Sequence, residues 1–559
     1  MRKLKKALKK GKSTQEKQKQ ETRGITLIAL VITVVVMLIL AGVVVSVLTD
    51  DGGLFEKTRV AAETYENSAE KEAKQIDNLM NEIDQYIAGV PIAPKSKTDG
   101  SWNGKVNAPK LATGMTAIYW NESGQEIELT SSSSKTEWNN WYSYTAQTGS
   151  TAIAGSGTSK WANAVTKDES GNITGYWVWI PRYEYKLTAP ASGENAGKID
   201  VKFISTEKTV PSSSEYKIHP VFTNDTDKGG WDSELPGFWV AKYPAGYQKS
   251  TVNASGTLQN GNDTIVYSDL KYTNPSSSYS LNALGQNLST TNNAYANQRI
   301  SYPVFKPLTY AYNCINIDGM FRISQDIKNA TLFYGLTNST DSHLMKNSEW
   351  GAVAYLAWSQ YGRNATKLNI NNVNLNNKDS KNIYGITGVV AAGTGTSHTN
   401  GSFIGNVYNT GIGKLGSTTG NITGVYDMSG CLWEYTAAYI TNSAGKTNRD
   451  THGTSLTTTG TNSKYRTIYA HDLENDSYSN NWIANSTSQR YGDAIKETST
   501  SGSGNSSWNA EYSMFPFSTA TFFIRGGYYA DAENAGLFSY YHHWGYAYYH
   551  FGFRVCLVA

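Results

Sequence analysis

Between Tyr528 and Phe551 the chain concentrates side chains suited to making contacts rather than bonds. These 24 residues hold ten aromatics, where the overall aromatic content of 12% would place about three, and three of the eight histidines. Seven tyrosine hydroxyls and three imidazoles in so short a stretch would each need a buried partner if the stretch were wholly core. An exposed binding face is the simpler account, because Tyr offers a large contact area with few rotatable bonds and a polar tip. The candidate contact residues are Tyr528, Tyr529, Asp531, Tyr540, Tyr541, His542, His543, Tyr546, Tyr548, Tyr549 and His550, with Phe538, Trp544 and Phe551 expected in the core. Adjacent His542 and His543 would point to opposite faces of a strand, which argues against a shared metal.

Residues able to make or break covalent bonds are sparse. Cys314, Cys431 and Cys556 are widely spaced and form no CxxC pair, so they suggest neither a zinc nor a redox site. No HExxH or GxSxG occurs, and Gly445-Lys446-Thr447 has Ile440 where a phosphate loop needs Gly. No residue is therefore assigned catalysis, and no cofactor or resident metal is expected.

The elements that must position the aromatic stretch are short aromatic strands among Ser/Thr/Asn/Gly-rich loops, most clearly 176–185 and 238–243. Trp350, Val353, Ala354, Ala357, Trp358 and Tyr361 repeat at helical spacing and predict a buried helix over 347–361. Polar stretches 363–405 and 441–490 look like insertions or long loops.

Charge is uneven. Residues 1–24 carry ten Lys or Arg and two Glu, a local charge of +8, which leaves the remainder at −5 within a total of +3. A slightly acidic body argues against nucleic acid as a partner. Residues 25–48 are uncharged and apolar, and as a helix of roughly 36 Å could cross a bilayer core of about 30 Å. The charge asymmetry then places the leader inside and the body outside the membrane. Apolar residues from Val60 to Ile87 recur at helical spacing and suggest a stalk, which Pro91 and Pro94 would end.

Two resemblances sharpen this outline. Arg23-Gly24-Ile25-Thr26-Leu27-Ile28 is similar to the prepilin processing signal, which implies cleavage after Gly24 and methylation of Ile25 by a prepilin peptidase, and possible association with pilin-like subunits. Ala29 stands where most pilins carry Glu, which counts against a long filament. Val178-Trp179-Ile180-Pro181, Phe238-Trp239-Val240-Ala241-Lys242-Tyr243, Ser348-Glu349-Trp350, the run Gly424 to Tyr435, and Arg525-Gly526-Gly527 with Gly552-Phe553-Arg554 resemble phrases of the formylglycine-generating-enzyme family, which has a C-type-lectin-like fold.

That family's oxidase chemistry implies two cysteines between the last two phrases, and here the interval has none. Its calcium site implies an Asn where this chain has Cys431, so Glu434 is expected to bond backbone amides instead. A Tyr-rich stretch framed by these phrases also resembles the variable proteins of diversity-generating retroelements, in which adenine-containing codons are rewritten.

The expected fold class is α+β: a long N-terminal transmembrane and stalk helix followed by a C-type-lectin-like head with long loop insertions. The expected organisation is a leader (1–24), anchor and stalk (25–88), linker (89–104), β-rich extension (105–174) and head (175–559). The expected function is non-covalent binding of a protein or glycan ligand by a membrane-anchored, extracytoplasmic head. A pilus or pseudopilus subunit and an oxygen-using modifying enzyme are the alternatives.

Overall fold

The computed structural model describes residues 97–147, 159–247, 302–313, 315–372, 374–376, 382–391, 406–469, 477–487, 490–548 and 550–559. The chain divides into two compact units, Met1–Gly89 and Val90–Ala559, and every described residue lies in the second.

Nineteen strands are described. The first four are β1 (Met115–Trp120), β2 (Glu126–Glu128), β3 (Asn163–Lys167) and β4 (Ile173–Pro181); β5 (Tyr183–Thr188), β6 (Lys198–Phe203) and β7 (Lys217–Ile218) form a small sheet. Then follow β8 (Gly237–Ala241), β9 (Asp341–Leu344) and the short pairs β10 (Asn374–Asn376) with β11 (Asn382–Tyr384) and β12 (Val389–Val390) with β13 (Asn406–Val407). The last are β14 (Trp433–Ile440), β15 (Thr467–Tyr469), β16 (Phe522–Gly526), β17 (Gly536–His543), β18 (Phe551–Phe553) and β19 (Val555–Val558).

The largest sheet has the order β2-β1-β3-β4-β8-β19-β9 and is antiparallel throughout. Its central strands read as continuous apolar runs because both faces are covered. Trp177 and Trp179 of β4, Trp239 of β8 and Leu557 of β19 enter one core, while Val178, Ile180, Val240 and Cys556 enter another. The second sheet runs β15-β14-β16-β17, with β18 also pairing β14. The expected strands appear as β4 and β5, divided at Arg182, and β8. The segment expected as an extension supplies β1, β2 and β3 to the largest sheet.

Seven α-helices are described: α1 (Lys135–Asn139), α2 (Ile317–Asp326), α3 (Thr331–Tyr334), α4 (Asn347–Trp358), α5 (Lys446–His452), α6 (Thr454–Thr457) and α7 (Tyr478–Thr487). The helical spacing noted above marks α4, which is buried around its whole circumference rather than along one stripe.

The expected fold class and location need correction. Among the described residues the fold is mixed α/β and mostly sheet. Its longest helix has 12 residues, about 18 Å against a bilayer core of about 30 Å. No described helix is long and apolar enough to cross a membrane, so the described residues give no support to the expected anchor. The expected span at 25–48, the stalk, and the processing pair Gly24 and Ile25 lie outside the described residues.

The second correction concerns Glu434. Its carboxylate accepts from Arg554 Nε at 3.0 Å and Nη2 at 2.7 Å, both side chains being buried, rather than bonding backbone amides. Arg554 also donates to the carbonyls of Ala241 and Tyr426, each at 2.8 Å. Removing one partner of a buried pair leaves an uncompensated charge, which typically costs about 3–5 kcal/mol. Arg554→Met should therefore lower unfolding stability by about that amount in urea denaturation. Adding Glu434→Leu should recover part of the loss, since two carbonyls stay unpaired.

Candidate functional site

The aromatic stretch is held between two buried arginines. Arg525, in β16, donates from Nε to Ser539 O at 3.0 Å and from its terminal nitrogens to Asp493 O at 2.9 Å and Ala494 O at 3.0 Å. Its guanidinium thus ties β16 to β17 and to the 493–494 loop. Gly527 follows with φ +75°, and a Cβ there would come within 2.6 Å of Ala535, so the turn out of β16 requires glycine. Asp531 closes this turn by accepting from the Tyr528 amide at 2.9 Å. At the other end Arg554 makes the contacts already given.

Strand alternation, together with what covers each face, sorts the candidate residues. β16 and β17 pair Ile524 with Tyr541 and Phe523 with His542, so neighbours on β17 face opposite ways. Tyr540 is buried with Phe523, Phe515 and Tyr469, its hydroxyl 3.1 Å from Ser499 Oγ. His543 is buried against Phe551 and Tyr546 and bonds the Tyr435 hydroxyl. His542 is buried as well, with Nε2 3.1 Å from Met514 Sδ, and Tyr529 packs with Cys431 and Leu432. These four serve the packing more than a surface. Tyr549 lies outside the described residues.

The remaining candidates, Tyr528, Asp531, Tyr541, Tyr546, Tyr548 and His550, are half-buried. Most of them form a continuous row. Tyr528 lies 5.0 Å from His550, His550 4.4 Å from Tyr548, and Tyr548 6.4 Å from Tyr546, whose ring stacks on Trp544 at 6.0 Å. Trp544, expected in the core, is instead half-buried with its indole N–H donating to Thr519 Oγ1; Phe538 and Phe551 are core as expected.

Three contributors come from outside the stretch. Tyr512 packs on Tyr541 at 5.3 Å, Trp433 on Tyr541 at 6.0 Å, and Phe517 on His542 at 4.7 Å. Tyr512 reaches the site because Met514 N–H donates to Tyr540 O, Tyr540 N–H donates to Tyr512 O, and Glu511 accepts from the Phe538 amide at 2.7 Å. No sequence signal links 512–517 to β17, which follows only after β16 and its turn.

The site is electrostatically quiet. Burial pushes His542 down to about 4 and His550, ringed by aromatics, to about 3, and holds His543 well below its usual value with help from the neighbouring histidines. All three are neutral at pH 7 and act as aromatic rings and hydrogen-bonding groups. Asp531 moves the other way: burial raises it to about 7, against the opposing bonds from the Tyr528 amide and Trp433.

Among the described residues one cluster has metal-ligand chemistry, and it is elsewhere: His343, Glu349 and Cys556, all buried. Its groups bond one another, while His343 Nδ1 is left without a hydrogen-bond partner among the described residues. His343 Nε2 lies 2.8 Å from Glu349, the Cys556 thiol bonds the same carboxyl, and Lys346 Nζ is 3.8 Å away. Burial pushes the Glu349 carboxyl up, but His343 and Lys346 outweigh it and hold it below its usual value. Burial keeps Cys431 and Cys556 as thiols, and Cys314 lies outside the described residues.

Asp531 and His542 should leave opposite marks on pH dependence. The folded value of Asp531 lies above that of an unfolded carboxyl, about 4. Its contribution is whole below that and lost as pH rises through about 7. For His542, depressed in the fold, the contribution is present above the unfolded value of about 6.5 and lost as pH falls through about 4. In denaturation series from about pH 5 to 8, Asp531→Asn should gain stability relative to the parent chain as pH rises. His542→Asn should gain as pH falls, and parallel profiles would contradict both assignments. No protein-family model matches the chain, and no curated protein matches it.

Proposed function

We propose that this protein binds a ligand non-covalently through the half-buried aromatic row of 528–550. The observation that carries the reading is the row itself: Tyr528, His550, Tyr548, Tyr546 and Trp544 in ring contact, flanked by Tyr541 and Tyr512, and all partly open to solvent. Rigid aromatic rings with polar tips give contact area at low entropic cost, and the ligand class they suit is a protein or glycan surface. Neutral histidines and a single titrating carboxyl favour packing and hydrogen bonding over charge attraction.

The framing phrases Arg525-Gly526-Gly527 and Gly552-Phe553-Arg554 support a further step, a face rewritten by a retroelement. Their side chains anchor the ends of the stretch through buried contacts, so replacements at the half-buried positions would leave the anchors intact.

Two experiments test this. The triple variant Tyr541→Ala, Tyr546→Ala, Tyr548→Ala should lose at least about tenfold in affinity on protein and glycan arrays, since truncating central aromatic contacts costs about 1–2 kcal/mol or more each. Its melting profile should change little; unchanged binding would overturn the reading. Deep sequencing of a clonal population should find adenine-directed substitutions at Tyr528, Asp531, Tyr541, Tyr546 and Tyr548 while Tyr540 and His543 stay fixed. An invariant stretch would leave a binding face of fixed specificity.

A further inference from the structure

A second concave site, sharing no residue with the 528–550 face, lies at the β1–β2 turn. Its cavity of about 420 Å³ falls within the range of about 300–1,000 Å³ of small-molecule sites. Four chain segments wall it: the end of β1 and its turn, the residues after α1, those before β3, and the loop 409–423.

The wall is rigid where it is apolar. Trp161 is wholly buried and donates from its indole to Tyr361 O at 2.9 Å, and Trp141 donates to Asn163 O at 2.8 Å. Asn421 is spent internally: its Oδ1 accepts from the Thr423 amide and hydroxyl at 2.9 and 2.7 Å, while its Nδ2 donates to Ser159 O at 2.8 Å. Trp120 is only half-buried. Lys242 Nζ sits 4.5 Å from its ring centroid, held in place by Asn163 Oδ1 and Ile422 O. The indole is thereby braced from within the protein while bordering the cavity.

The polar part of the wall is unspent. Lys160, Lys414, Asn140 and Asn409 line the cavity, and none of their side chains has a hydrogen-bond or ion-pair partner among the described residues. Glu122 is the one acidic residue in the lining, against the two lysines.

We propose that this cavity binds an acidic saccharide. A sugar ring presents an apolar C–H face that packs on the braced Trp120 indole, and hydroxyls that meet the amides of Asn140 and Asn409. Its carboxylate answers Lys160 and Lys414 with charge-assisted hydrogen bonds. A purely apolar ligand would desolvate two amides and two ammonium groups without pairing them. This site is additional to the aromatic row and does not depend on it.

The test uses the full chain, titrated with digalacturonate, glucuronate and N-acetylneuraminate, with digalacturonate dimethyl ester as the neutral control, read by tryptophan fluorescence and saturation-transfer NMR. At least one acid should bind at millimolar affinity or better, and at least about fivefold more tightly than the neutral control. Trp120→Ala should weaken it about tenfold, Lys414→Gln and Lys160→Gln should remove its preference over the ester, and Tyr546→Ala should change nothing. The proposal is overturned if no acid binds, if the ester binds equally well, if inorganic phosphate displaces the sugar at equal concentration, or if Trp120→Ala binds as the parent does. Loss of binding in Tyr546→Ala would instead assign the signal to the aromatic row.

Discussion

Arg554 occupies the point where the chain leaves one sheet for the other. The residues before it form β18 beside β14, and those after it form β19 inside the seven-stranded sheet. Its side chain spans the same junction, bonding Glu434 of β14, the carbonyl of Ala241 in β8 and the carbonyl of Tyr426. A guanidinium out of water is costly unless every donor is met in good geometry, and here one carboxylate and two carbonyls meet it. Most other features depend on this joint, because it fixes the strand that underlies the aromatic row relative to the main sheet. Arg525 plays the corresponding part at the start of the stretch with three backbone carbonyls and the side-chain oxygen of Asn347.

Between these anchors the aromatic stretch separates into two functions that share one composition. Tyr540 and His543 complete cores, whereas Tyr541, Tyr546 and Tyr548 stand half-open. The difference arises from what covers each face. The 512–514 backbone bonds to Tyr540, and Tyr435 and Phe551 enclose His543. A surface made this way inherits the stiffness of its support.

The sequence was legible where local periodicity decides the outcome. α4 and strands β4 and β8 stand out because their apolar spacing and aromatic content are strong enough to override context. It was not legible where partners are distant. Glu434 and Arg554 are 120 residues apart, so their pairing leaves no local trace. Nor does composition tell Tyr540 from Tyr541, adjacent and identical, or show that Trp544 would find Thr519 and remain half-open. The cavity at Trp120 is assembled from four segments between residues 118 and 423 and has no motif at all. The expected long helix concerned residues outside the described part, and the described helices are all short.

The position of β19 has a bearing on how the molecule is made. It is the last of the described strands, yet it lies between β8 and β9 and not at an edge. Until it arrives, those two strands present unpaired ladders to one another, and a chain lacking it would carry two open sheet edges of the kind that recruit other chains. Folding of the main sheet must therefore wait for β19, a contact of large sequence separation from β8 and correspondingly slow closure. Molecules that lack β19 would be diverted to aggregation or degradation, and the 528–550 row would be presented only where that strand has docked.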